Sequence, residues 1–307
     1  MTDFTKVKLS SLKSRKNKVF SKDFSLPDSD SLGEMIPGIL AGKDLKELKE
    51  VLRRARKAKS PILWMVGAHV VKCGLGPLLI RLMEERYITH LATNGAAPIH
   101  DLEIALIGET SEDVESGIRD GSFGMAKETG EIINQLINSH HERGLGESFG
   151  KAILEGHFPH KSQSVFAQAI RNNVTVTVHS AIGTEIIQMH PSYDCAQQSR
   201  KTYADFQKMI ETVGSLNDKS VVLNIGSGVI LPEVFLRSLN ISRNLGMKAF
   251  GFTTAVFDME RLFRPYENVK HRPTQDGGKG FYFVGQHELM IPLLYWLLLR
   301  EGEQIDE

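Results

Sequence analysis

Apolar and polar residues alternate in blocks along this chain, and the blocks predict a repeating strand–helix order. Asp44 is placed to cap a helix over residues 45–58, where the leucines and Val51 recur at helical spacing. Pro61 then introduces an apolar run over 61–67 that ends in glycine, the pattern of a buried strand. A helix over 76–86 and a strand over 89–95 complete a strand–helix–strand unit. Residues 111–172 read as mostly helical. Further strands are predicted at 174–180, 220–228, 248–257 and 281–285, with helices over 194–213, from Pro232 to residue 246, and from His287 onward. Strands that are apolar on both faces and alternate with helices predict an α/β fold: a doubly wound, mostly parallel sheet with helices on both faces. Residues 1–33 are rich in Lys and Ser, with a basic cluster between Lys13 and Lys18, and are expected to form an N-terminal arm; residues 34–307 are expected to form a single α/β domain.

Composition narrows the choice of function. Of 307 residues, 41% are hydrophobic and 24% charged, which excludes bulk disorder. The 37 basic and 37 acidic side chains cancel, so nothing in the charge balance points to nucleic acid or an anionic membrane, and neither is expected as a partner. The longest apolar stretch, Leu289 to Leu299, is shorter than the ~20 residues that span a bilayer, and the first residues lack a secretory-type apolar segment. The expectation is a cytoplasmic protein. Two cysteines, Cys73 and Cys195, exclude a disulfide framework and a four-cysteine zinc site. Eleven histidines invite a metal reading, but there is no HExxH motif and Pro159 interrupts the pair His157 and His160; no metal is expected.

In an open parallel sheet the ligand sits beyond the carboxyl ends of the strands. Small and polar residues gather there in this sequence: Gly67-Ala68-His69, Thr93-Asn94-Gly95, His179-Ser180, Asn224 with Gly226-Ser227-Gly228, Thr254-Ala255 with Asp258, and Gly285-Gln286-His287. The turn Gly226-Ser227-Gly228 resembles the start of a dinucleotide fingerprint, with Leu231 where the third glycine would stand; a tight strand–helix turn that needs glycine for packing explains it equally well. Lys279 in DGGKG is read either as an exposed turn lysine or as a partly desolvated nucleophile.

The order of these motifs resembles the deoxyhypusine synthase family over roughly residues 60–295. The segments that carry it are LATNGAAPIHDLE, VTVTVHSAIGTEIIQMHP, VVLNIGSGVILPEVFL, FTTAVFD and YFVGQHELMIPLL. The resemblance implies a Rossmann-type NAD-binding fold and a homotetramer built from tight dimers, with active sites at subunit interfaces. It implies a transferase that oxidises a polyamine and passes an aminoalkyl group through a lysine imine, as deoxyhypusine and homospermidine synthases do. Carried over by position, Thr93, Asn94, Gly95, Gly226, Ser227, Gly228, Thr254, Ala255 and Asp258 are expected to bind NAD. Lys279, His179 and His287 are the expected catalytic residues. His100, Glu185, Glu233 and Glu288 are expected to bind a small amine substrate. The sequence departs from the family where Ile99 and His100 replace an acidic pair, Ser180 an aspartate, Glu233 a histidine and Gln286 an aspartate. Two alternatives stay open: a nucleotide-binding enzyme using histidine acid–base chemistry, and a non-catalytic oligomeric assembly protein.

Overall fold

The computed structural model describes residues 5, 8, 20–27, 29, 31–139 and 143–301. The chain divides into two units, Met1–Glu47 and Leu48–Glu307. In the first, a 3-10 turn at Ser21–Asp23 precedes a one-turn helix at Leu32–Met35, and the Gly38 N–H donates to the Asp23 carbonyl at 2.8 Å. The basic cluster Lys13–Lys18 and the histidines His140 and His141 lie outside the described residues.

The second unit holds a six-stranded sheet. Its strands are β1 (Ile62–Val66), β2 (His90–Asn94), β3 (Thr175–His179), β4 (Val221–Ile225), β5 (Thr253–Asp258) and β6 (Lys279–Val284), in the order β3-β2-β1-β4-β5-β6. Every neighbouring pair is parallel, and helices surround the sheet. The doubly wound reading therefore holds. On one face Leu63 and Met65, Val222 and Val256 pack with Met209 and Val213 of the Cys195–Gly214 helix and with Leu231, Phe235 and Leu239 of the Ile230–Asn244 helix. The alternate residues Ile62, Trp64 and Val66 point to the other face and are equally inaccessible. Two buried faces explain why these strands read as continuous apolar runs rather than as alternating ones.

Several boundaries differ from the sequence pattern. The helix expected at 45–58 runs from Leu40 to Lys57, so Asp44 lies inside it and caps nothing. The strand expected at 248–257 begins only at Thr253: Gly251 (φ +76°) turns the chain before it, and Ala249 and Phe252 are apolar because they fill the core below the sheet. The Ile230–Asn244 helix starts two residues before Pro232, which sits in its first turn, where a missing N–H costs no helical bond. Between the strands expected at 248–257 and 281–285 the chain winds into helical turns at Tyr266–His271 and Arg272–Thr274, and Lys279 opens β6 rather than lying in a turn before it.

Candidate functional site

The chain leaves β1 for β2 and β3 on one side of the sheet, then returns to β4 on the other. The carboxyl ends of β1 and β4 therefore diverge, and a crevice opens between their following loops. The residue after each of three strands is a glycine that extends the ladder by one bond: Gly67 N–H to Ile225 O (2.8 Å), Gly226 N–H to Phe257 O (3.0 Å) and Gly285 N–H to Asp258 O (3.0 Å). Glycine is required at the first two. A Cβ on Gly67 would sit 2.1 Å from the Gly226 carbonyl oxygen, and Gly226 has φ +67°. The two backbones touch with no side chain between them.

Buried polar groups converge on this edge. Asn224 donates to the Ser227 carbonyl at 3.0 Å, while its Oδ1 has no partner among the described residues. The Ser227 hydroxyl accepts from the Leu231 N–H at 3.2 Å, anchoring the following helix. Asp258 ends β5 beside Gly226. Its Oδ1 accepts from the Met259 N–H at 2.8 Å, its Oδ2 is unpartnered among the described residues, and burial raises its pKa. His287 stands over the turn: a Cβ on Gly226 would lie 2.9 Å from its Cε1. The ring is fully buried, with Nε2 3.3 Å from the Phe257 carbonyl and Nδ1 unpartnered among the described residues. Leaving a buried polar atom unpaired costs about 1–3 kcal/mol, so three such atoms at one edge mark a place built for something else.

The expected site residues divide sharply by place. Gly226, Ser227, Gly228, Asp258 and His287 come together at the crevice. Thr93 lies at its flank, fully buried, its hydroxyl 3.4 Å from the Thr177 carbonyl. Thr254 and Ala255 are inside β5, with Thr254 four residues, about 13 Å, below Asp258. Lys279 pairs with Thr253 at the opposite end of the sheet, and β6 carries it about 16 Å from Val284, which pairs with Asp258. Its ammonium lies 5.0 Å from the centre of the Phe281 ring.

At the β2–β3 edge most of the polar atoms are engaged. His179 Nε2 and His90 Nε2 each lie 3.0 Å from the Thr177 hydroxyl, and His90 Nδ1 lies 2.8 Å from the Thr212 hydroxyl. Burial pushes both imidazole pKa values down to about 3, so both rings are neutral. Asn94 pairs with His179 in the ladder and keeps an unpartnered Oδ1. Gly95 makes room for Glu185: a Cβ there would be 2.1 Å from Oε1. Glu185 accepts from the Ala181 N–H (3.0 Å), the Thr184 hydroxyl (3.3 Å) and Gln198 (3.3 Å), and also from Gln188. Burial raises its pKa against these bonds. Glu233, at the foot of the Ile230–Asn244 helix, accepts from Arg264 (2.9 Å) and Asn268 (3.0 Å) and pairs with Arg237.

His100 is elsewhere again. Its Nδ1 lies 2.7 Å from the Thr110 hydroxyl, which donates to Glu103 at 2.6 Å. Burial lowers its pKa, opposed by the Glu103 charge and reinforced by Lys72 and His69. Beside it runs a groove of about 410 Å³ lined by Glu103, Glu109, Glu112 and Glu128 with Leu106 and Ile107. Glu112 and Glu128 fall in the stretch over 111–172 that reads as mostly helical, where an acidic residue reads as a solvated face, so the sequence offered little to distinguish them. Glu288 meets His69, which the sequence reading placed just after a strand, and Cys73, to which that reading gave no role. The four-residue spacing of His69 and Cys73 was the signal available; Glu288 joins them only through the fold.

No protein-family model and no curated protein matches the chain. Solved structures do. A putative deoxyhypusine synthase from Entamoeba histolytica superposes with a TM-score of 0.52 at 13% identity, covering 95% of this chain and 97% of that one. The chain has a deoxyhypusine synthase-like fold. A conserved putative LOR/SDH protein from Methanococcus maripaludis S2 shares this fold at TM-score 0.55 and 16% identity, covering 93% of this chain and 75% of that one. So does AgrE in its ternary complex with ornithine and NAD+ (TM-score 0.54, 15% identity), where the match covers 86% of this chain and 33% of AgrE. This chain thus spans about a third of the length of AgrE. Among the described residues, no helix is long and apolar enough to cross a membrane.

Proposed function

We propose that this protein binds NAD in the crevice between β1 and β4 and oxidises a small amine there. The observation that carries this reading is the close Gly67–Gly226 approach, with atoms of Asn224, Asp258 and His287 nearby that lack a partner among the described residues. The AgrE complex with ornithine and NAD+, on the same fold, supports both the cofactor and the amine class.

The residues present fit a dinucleotide. Glycine at 67 and 226 lets backbone approach a pyrophosphate beside the turn that leads into the Ile230–Asn244 helix. Asp258 Oδ2 is free to accept a ribose hydroxyl. NAD, when bound, supplies a hydride acceptor for the carbon that bears the substrate nitrogen. The chain's own part is to bind the amine, exclude water and take a proton. An ammonium must lose a proton before its carbon can give up hydride, and His287 Nδ1 is an imidazole acceptor without a partner among the described residues. The groove beside His100 supplies the negative charge that an amine substrate needs, a role that Glu185 and Glu233 cannot fill while their oxygens are engaged internally. Lys279 has no part in this scheme, because the length of β6 separates it from the crevice.

The test is isothermal titration of the full chain with NAD+, then NADH formation with ornithine, diamines and polyamines. Micromolar binding with turnover of at least one amine supports the reading. Absence of NAD+ binding overturns it.

A further inference from the structure

We propose that His69, Cys73 and Glu288 form a zinc site at the edge of the crevice, open at a fourth position to water or a small ligand. The donor atoms of these three residues all lie within 4.8 Å of one another. Tetrahedral zinc, with bonds of about 2.0–2.3 Å, holds its donors roughly 3.3–3.8 Å apart, so modest side-chain rotation closes the set. This proposal does not rest on NAD binding.

Local structure explains how the three meet. His69 lies in the short helix Ala68–Val70 directly after β1, and Cys73 in the wide turn Val71–Leu75 that continues it. A spacing of four along a helical path puts both side chains on one side. Gly74, at φ +84°, then turns the chain away. Glu288 comes from the first turn of the His287–Leu299 helix, at the far end of the sequence. A second observation points the same way. His287, the neighbour of Glu288, is fully buried, its ring centre is 5.7 Å from that of His69, and its Nδ1 lacks a partner among the described residues. A metal-bound water beside His69 would offer that nitrogen a donor.

The donor types select the ion. One imidazole, one thiol and one carboxylate suit a borderline ion such as Zn2+, whereas Mg2+ and Ca2+ take oxygen ligands. Three protein ligands are the number that leaves a position open, while a structural zinc site is closed by four. The Cys73 thiol now donates to the Val70 carbonyl at 3.6 Å, and burial together with the Glu288 charge holds its pKa up. Zinc binding therefore exchanges the S–H bond for a Zn–S bond and releases one proton to solvent, so that affinity rises with pH. Cys195, the other thiol, is exposed and outside the cluster.

The experiment titrates the metal-free full chain with Co2+ as a spectroscopic stand-in for zinc, followed by displacement with Zn2+. A thiolate-to-cobalt charge-transfer band saturating at one ion per chain is expected. It should disappear in Cys73→Ser and persist in Cys195→Ser. Glu288→Gln should weaken zinc binding by at least roughly 10-fold. Circular dichroism and NAD+ titration of each variant separate loss of the metal site from misfolding, and separate failure of this proposal from failure of the NAD reading. Absence of the band, its persistence in Cys73→Ser, or its loss in Cys195→Ser would overturn the assignment.

Discussion

The two edges of the sheet carry similar residue types in opposite states. At the β1–β4 edge, Asn224, Asp258 and His287 each keep a buried atom without a partner among the described residues. At the β2–β3 edge, His179 and Glu185 are just as buried, yet their polar atoms are engaged with Thr177, Ala181, Gln188 and Gln198. Both edges would pass a search for histidines and carboxylates at strand ends. What separates them is hydrogen-bond accounting: among the described residues the β1–β4 edge leaves three buried atoms unpaired, whereas the β2–β3 edge leaves Asn94 Oδ1.

That contrast can be broken by substitution. The largest effect is expected from Gly67→Ala, since the new Cβ would lie 2.1 Å from the Gly226 oxygen and force the two backbones apart. Loss of about 1–3 kcal/mol of stability and of all measurable NAD binding is expected, read from urea midpoints and titration calorimetry. Next comes Asp258→Asn, which removes a charged acceptor from the crevice. A hydrogen bond to a charged group contributes about 1.5–3 kcal/mol, so NAD affinity should fall roughly 10- to 100-fold while the urea midpoint stays put. Glu185→Gln should do the reverse. Turning one accepting oxygen into an amide among the donors Ala181, Thr184 and Gln188 should cost about 1–2 kcal/mol of stability and leave NAD affinity unchanged. Equal effects of these last two variants on NAD affinity would erase the distinction between the edges.

On the β3 side the expected change is one of pH response, away from the crevice. Asp205 accepts from the N–H groups of Gly146 and Val178, both at 2.9 Å, and burial raises its pKa to about 7. Between about pH 4 and 6 the folded state therefore holds a proton there that the unfolded chain, with a carboxyl near 3.8, has released; this makes stability fall as pH rises. Asp101, raised to about 6 by burial, acts in the same direction. His90 and His179, near 3 when folded and 6.5 when unfolded, act oppositely: their contribution is complete above pH 6.5 and is lost as pH falls toward 3. The two pairs nearly offset. Asp205→Asn should then add about 1.4 kcal/mol per pH unit of acid sensitivity relative to the native protein, measured by urea unfolding from pH 4 to 6. An unchanged slope would mean that Asp205 is not protonated in the folded state.

The periodicity of the sequence determined the strand–helix alternation, the burial of both sheet faces and the position of the glycine turn at residue 226. These follow from local rules: a buried parallel strand is a short apolar run, and a backbone at φ +67° asks for glycine. The sequence also pointed to Asp258 and His287, because strand ends mark the rim of such a sheet. Only the tertiary structure decided which rim residues remain unpaired, because that depends on partners far along the chain, such as Gln198 for Glu185 or Arg264 for Glu233. It also carried Lys279 to the wrong end of a strand for chemistry at the crevice, and brought Glu288 to His69 and Cys73. A motif specifies what a residue can do chemically; its distance from the other groups is set by strand order and register, which no local pattern encodes.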